Sequence, residues 1–425
     1  MQPKRRQTLL TAALALGLAP AAAADSDFVA ADALRGAGLV KHWQGQVPLD
    51  PGQTVVDAYR VDENLYVCTD DGYVFAVHAN TGVIRWLRQV TTGGYRLRKP
   101  CHAGEEVIFI TTASLRAYDR LTGEPLAEGD LRFPAGSGPA TDGARLFLGG
   151  INERFYAFAI RDMSEIWKVA VGGPIVSTPV VWGAYLYVAS EDGGVYACTT
   201  ANKLAHWQTT TNAANTADLV ADDNGVYVAS RDHALYLYDA IDGSTKWRAL
   251  LSGPLREPPA PTKEVAYQYC PDDGVAAIET ALGKDEERIR WKLARGRALL
   301  TVDKTTAFIA TRDGFVVPVA IADGKEGAAI DASAFTIPIT WTADATILLV
   351  APNGRMFSAR PKDAPPVKIE DIRKALRTSE SSAAGGAAPT TQPAPAAPTG
   401  GSTAPLGPPV GGKSKVSREF SGAKP

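Results

Sequence analysis

Tryptophan recurs along this chain at a nearly fixed interval, and no other feature restricts its fold as much. Trp86, Trp167, Trp207, Trp247 and Trp291 are separated by 81, 40, 40 and 44 residues. The first gap spans two periods, with Leu126 at the skipped position, and Trp43 stands 43 residues before Trp86. Self-similarity at a fixed period marks stacked supersecondary units, none of which can bury its apolar face alone.

The units agree beyond tryptophan. Seven contain a four-residue run rich in β-branched, aromatic or other apolar residues, at 65–68, 107–110, 146–149, 186–189, 226–229, 307–310 and 347–350. Such runs read as buried strands. A tight turn follows most of them: Asp71-Gly72, Asp192-Gly193, Asp273-Gly274, Asp313-Gly314 and Asn353-Gly354, with Asn152-Glu153 and Asp232-His233 as weaker versions. Asp-Gly and Asn-Gly accept the positive φ angles that two-residue hairpins demand. A second alternating strand comes next, such as Tyr73 to Val77, then a second turn such as Asp242-Gly243, then the strand that carries the tryptophan. Pro100, Pro139, Pro179 and Pro259 stand where each unit's first strand begins, where a missing N–H does no harm.

Four strands in about 40 residues is the content of one propeller blade. Eight units follow, at about 55–90, 98–130, 137–171, 176–211, 216–251, 257–295, 298–330 and 337–360. The eighth lacks an outer tryptophan strand, while the Trp43 strand has no unit before it. The pattern therefore predicts an all-β, eight-bladed β-propeller in which the N-terminal strand completes the last blade and removes an open sheet edge. Seven blades stay open if the second or sixth unit is degenerate.

The ends have different character. Residues 1–24 read as a signal peptide: Lys4, Arg5 and Arg6 precede an apolar run over 8–18, and Ala22 and Ala24 form an A-x-A cleavage site. Arg5-Arg6 leaves general secretory and twin-arginine export both open. No other stretch of 18 apolar residues occurs, and no cysteine stands at the cleavage site. The expectation is a periplasmic or extracellular protein without a transmembrane segment or lipid anchor. The propeller is expected over 25–365 and a short helix over 366–378. The span 379–425, dominated by Pro, Ala, Gly, Ser and Thr, is expected to be a disordered tail; it ends in a peptide bearing Lys413, Lys415, Arg418 and Lys424.

Chemistry-bearing motifs are sparse. The five histidines show no i, i+2 or i, i+4 pair, and there is no C-x-x-C, Walker loop, G-x-S-x-G or H-E-x-x-H. Asp70-Asp71, Asp222-Asp223 and Asp272-Asp273 sit before Gly or Asn and read as turn residues. Cys68 and Cys101, in consecutive units, are candidates for a disulfide in an exported protein; Cys198 and Cys270 read as buried strand residues. A net charge of -2 lacks the basic footprint of a nucleic-acid binder. Two local basic clusters stand out, Arg96, Arg98 and Lys99, and Arg288, Arg290, Lys292, Arg295 and Arg297. They form a candidate patch for an anionic partner, set against the plainer reading of a solvated face.

The pattern Asp/Asn-x-x-x-Gly-x-x-x-Trp, complete in Asp239, Gly243 and Trp247 and with the Asn displaced by two residues at Asn80, Gly82 and Trp86, resembles the PQQ-like (quinoprotein-type) propeller repeat. The resemblance covers about 38–360 and implies two contrasting uses. Quinoprotein oxidoreductases of this kind clamp a flat quinone between a tryptophan and a disulfide of adjacent cysteines, beside a Ca²⁺ held by Glu, Asn and Asp. Here the nearest cysteines, Cys68 and Cys101, are 33 residues apart, and Trp182 and Trp341 are the tryptophans outside the outer-strand register. The other use is the non-catalytic envelope scaffold, similar to the outer-membrane assembly factor BamB family, which offers loops to protein partners. The sequence favours that second use, with no cofactor, metal or catalytic residue assigned. A PQQ/Ca-dependent oxidoreductase and a carbohydrate or cell-wall binder are the alternatives.

Overall fold

Short strands joined by turns that require a left-handed backbone pair as antiparallel hairpins. In the computed structural model, which describes residues 27–95, 97–281, 288–364, 368–370 and 372–374, they do so eight times over. The expected signal segment, the tail over 379–425 and Arg96 lie outside the described residues. Of the expected 366–378 helix, 369–370 and 372–374 are helical.

Every sheet has four antiparallel strands. Seven are built from consecutive segments, spanning 55–89, 101–130, 140–170, 180–210, 220–250, 260–293 and 296–331. The eighth is composite. Ile337–Ile339, Ile347–Val350 and Arg355–Pro361 supply three strands, and the N-terminal Leu39–Gln46 pairs antiparallel with Arg355–Pro361 as the outermost. The count is eight, with neither the second nor the sixth unit degenerate. The first strands of neighbouring sheets lie against one another, so the sheets radiate from a common axis.

Gly72, Gly193, Gly274, Gly314 and Gly354 close the middle hairpins with φ of +88°, +92°, +76°, +84° and +83°. The two weaker turns adopt the same conformation with Glu153 and His233 at φ of +62° and +74°. L-residues tolerate this region at a cost, which is why glycine fills it elsewhere.

The core is divided into eight apolar layers, one per junction between blades. Six are anchored by Trp43, Trp86, Trp167, Trp207, Trp247 and Trp291, each at most 9% exposed. Five of these rings donate their indole N–H to a carbonyl of the following blade. Trp43 reaches Ala79 at 2.9 Å, Trp86 Arg120 at 3.2 Å, Trp207 Ala240 at 3.0 Å, Trp247 Thr280 at 3.1 Å and Trp291 Ile321 at 3.0 Å. Four of the tryptophans also pack directly against a turn glycine of that blade. A Cβ on Gly82, Gly123, Gly243 or Gly324 would come within 2.5–2.7 Å of the indole. The spacing Gly-x-x-x-Trp therefore records two roles: the glycine receives the ring of the blade before, and the tryptophan docks on the blade after.

The two junctions without tryptophan are filled differently. In the second blade the tryptophan register belongs to Ala127, paired with Ala117, and not to Leu126, which is 50% exposed. The offset follows from Gly123, which stands four residues before Ala127 as Gly243 does before Trp247. Phe133 stacked on Tyr156 at 3.7 Å, with Phe158 beyond, fills that space. Between the seventh and eighth blades, Val29 and Leu34 of the N-terminal segment, the latter on helix Ala31–Gly36, pack with Phe308, Ile330 and Phe357.

The cysteines are four free thiols. Cys68 faces the junction of blades one and two, whereas Cys101 packs on that of blades two and three. The second sheet stands between the two side chains, which explains why the candidate Cys68–Cys101 pair does not form. Burial pushes both thiols up, Cys101 to about 12, and holds them protonated.

Candidate interaction face

The ring presents two faces. One carries the Asp-Gly hairpins and the connections between blades. The other carries the hairpins joining first to second strands, near the axis, and the glycine turns that receive the tryptophans.

The basic residues singled out in the sequence are dispersed on this frame. Arg98 and Lys99 are exposed on the connection between blades one and two. Arg290 pairs with Glu279 at 2.8 Å on the outer strand of blade six. Arg295 pairs with Asp313 at 3.2 Å and Glu326 at 2.5 Å, and Arg297 with Glu257 at 2.7 Å. Arg288 departs from the expected surface patch: it is 2% exposed, donates to the carbonyls of Glu279 and Ala281, and covers Trp247 at 4.9 Å. Sequence proximity grouped these residues; strand alternation and neighbouring carboxylates separate them.

The acidic pairs hold turns. The Asp70 carboxylate accepts from the Thr54 N–H, and the Asp273 carboxylate from Ser252. Asp222 accepts from Asn224 and Tyr227, and burial raises its pKa.

Among the described residues, Asp62, Glu63 and His102 form the one trio with metal-ligand atoms in mutual reach. Its charges are already balanced. His102 donates from Nδ1 to Asp62 at 2.8 Å, while its Nε2 accepts from the Tyr66 hydroxyl at 2.7 Å. Arg85 and Arg120 each stand 3.6 Å from Glu63. Both imidazole nitrogens are occupied and two guanidiniums repel a cation, so this trio does not fit a metal.

Among the described residues, the tryptophans and cysteines are not arranged as a quinone clamp. Trp341 lies in the connection after the inner strand Ile337–Ile339, but the Arg60 guanidinium covers its ring at 4.1 Å. Arg60 is itself 5% exposed and paired with Asp344 at 3.0 Å. The cysteines lie in separate junctions and provide no adjacent pair. Trp182 ends the inner strand Val180–Trp182 and is 40% exposed beside a groove between blades four and five.

An eight-bladed ring fastened by indoles docked on turn glycines defines a propeller of the PQQ-like repeat class. The family model described as outer membrane protein assembly factor BamB matches residues 111–221 and 205–335, more than half of the chain. The chain belongs to that family. Among solved structures, BamB from Moraxella catarrhalis is 16% identical, with a TM-score of 0.59 over 75% of this chain and 100% of that one. The computationally designed Ika8 protein is 14% identical, with a TM-score of 0.60 over 74% of this chain and 100% of that one. At such identities these two likenesses concern the fold. A curated relative, the quinoprotein ethanol dehydrogenase of Pseudomonas putida, is 40% identical over 70 residues, which is 16% of this chain and 11% of that protein. No helix among the described residues is long and apolar enough to cross a membrane.

Proposed function

We propose that this protein is an exported, non-catalytic propeller scaffold that binds a protein partner in the cell envelope. The observation that carries the reading is the family match across the central blades, to a model described by an outer-membrane assembly factor. The commitments of the chemistry-bearing side chains support it. His102 has both nitrogens engaged, the acidic pairs close turns, and burial raises the thiols of Cys68, Cys101 and Cys198 out of the reactive range. Loops on a rigid ring are the usual place for recognition. Signal-directed export and a periplasmic or extracellular location belong to the same proposal, as does the reading of Arg98, Lys99, Arg290, Arg295 and Arg297 as contacts for an anionic partner.

The local likeness to a quinoprotein ethanol dehydrogenase favours a second reading, a PQQ- and Ca²⁺-dependent oxidoreductase. One titration separates the two. Protein incubated with PQQ and Ca²⁺ is expected to take up no stoichiometric quinone by absorption and to show no dye-linked alcohol oxidation. Crosslinking in the native envelope is expected to recover one defined protein at constant stoichiometry. Quinone uptake with turnover, or the absence of any reproducible partner, overturns the scaffold reading.

A further inference from the structure

The groove between blades four and five brings an exposed tryptophan together with carboxylates. It encloses about 340 Å³ and is lined by Trp182, Tyr185, Asp222, Asp223, Ile241 and Lys246, among others. Trp182 and Tyr185 face each other across one hairpin near the axis, and Tyr185 stacks on His206 at 4.4 Å. Six of the other tryptophans are buried at blade junctions, and Trp341 is roofed by Arg60. Trp182 alone among the described tryptophans leaves much of its ring in water, where it adds little to the packing of the fold.

The charge of the groove is one-sided. Lys246 is committed: it pairs with Asp239 at 3.1 Å and donates to the Asn224 carbonyl at 2.7 Å. That pairing leaves Asp222 and Asp223 without a cation among the described residues. Asp222 accepts from the Asn224 N–H at 2.8 Å, the Asn224 side-chain amide at 3.3 Å and the Tyr227 hydroxyl at 3.4 Å, all neutral donors, and lies in surroundings that desolvate it, while Asp223 is exposed. An electron-rich ring face beside two uncompensated carboxylates attracts a desolvated cation by two cooperating means, the ring quadrupole and charge-assisted hydrogen bonds. A neutral ligand uses neither fully, and an anion is repelled by both.

We propose that this groove is the receptor for a cationic side chain, a guanidinium or ammonium on an exposed segment of the protein partner. The inference rests on the scaffold reading and gives it a location and a chemistry.

The test uses the full chain titrated with the blocked tripeptide acetyl-Gly-Arg-Gly-amide, its citrulline counterpart and spermidine, followed by calorimetry. Saturable arginine-peptide binding is expected, with the citrulline peptide about tenfold weaker. Asp222→Asn with Asp223→Asn should cost about tenfold, and Trp182→Ala about threefold. An unchanged thermal melt for each variant shows that the fold is intact; Asp223→Asn alone, at an exposed position, serves if the double variant melts early. Equal binding of the arginine and citrulline peptides, or indifference to all these substitutions, overturns the site. Spermidine binding more tightly than the peptide overturns the protein-partner source. Envelope crosslinking keeps the two readings apart. A partner captured equally by wild type and Trp182→Ala sinks the groove and spares the scaffold, whereas no partner with intact arginine-peptide discrimination does the reverse.

Discussion

At the scale of single residues, the indoles decide how strongly neighbouring blades adhere. Trp247 is the clearest case: it is 2% exposed, donates to the Thr280 carbonyl at 3.1 Å and is covered by the Arg288 guanidinium. Replacing it with alanine removes one of the largest side chains of a junction and leaves a cavity beside an unmatched carbonyl. We predict a loss of about 3–5 kcal/mol, read as a lowered urea midpoint. A denaturation curve superimposable on that of the unaltered protein removes the inter-blade role. The tryptophans were legible in the sequence because their spacing is rigid. Their hydrogen-bond partners were not, because the accepting carbonyls stand some 30 residues away and carry no residue-type signature. Arg288 was misplaced for a related reason: a guanidinium can cap a buried indole as readily as face water, and a linear run of basic residues does not distinguish the two.

At the scale of the repeating element, the exceptions to the docking rule are as informative as the rule. Trp167 should dock on the turn of the fourth blade as Trp207 docks on Gly243. That turn holds Lys203, in the left-handed conformation at φ of +53°, and the Trp167 indole N–H is buried without a protein partner. Glycine adopts this conformation without the Cβ penalty of lysine. We predict that Lys203→Gly raises stability by about 1 kcal/mol, the relief of strain exceeding the added freedom of the unfolded chain. Urea unfolding checks the sign. A lowered midpoint shows that the lysine stem contributes more by packing than its backbone conformation costs. The strands and the Asp-Gly hairpins could be read directly, since apolar runs and turn chemistry are local. The candidate groove could not, because Trp182 and Tyr185 come from one blade and Asp222, Asp223 and Ile241 from the next. Only the out-of-register position of Trp182 marked it beforehand. The packing of Ala127 with Phe133 and Tyr156 was also hidden, since a missing tryptophan leaves no trace of what replaces it.

At the scale of the whole molecule, a ring has a property that its blades lack: it must close. Closure here depends on one N-terminal strand crossing more than 300 residues of sequence to pair with the C-terminal end of the propeller, with Leu39 opposite Pro361 and Gln46 opposite Arg355. The strand brings Trp43, which anchors the junction of blades eight and one, and the segment before it brings Val29 and Leu34 to the junction of blades seven and eight. Two of the eight apolar layers are thus completed by the same twenty residues. Their removal would expose both layers and leave Arg355–Pro361 with a row of unpaired backbone groups. Such an edge is a template for pairing with another chain. We predict that a chain beginning at residue 48 melts at lower temperature and self-associates in size-exclusion chromatography. Supplying residues 27–47 as a separate peptide should restore the monomer, because closure is intermolecular pairing made intramolecular, and its loss is one of effective concentration. A truncated chain that stays monomeric with an unchanged melt would mean that the ring is held by its seven complete blades, and that the N-terminal strand only decorates an already closed structure.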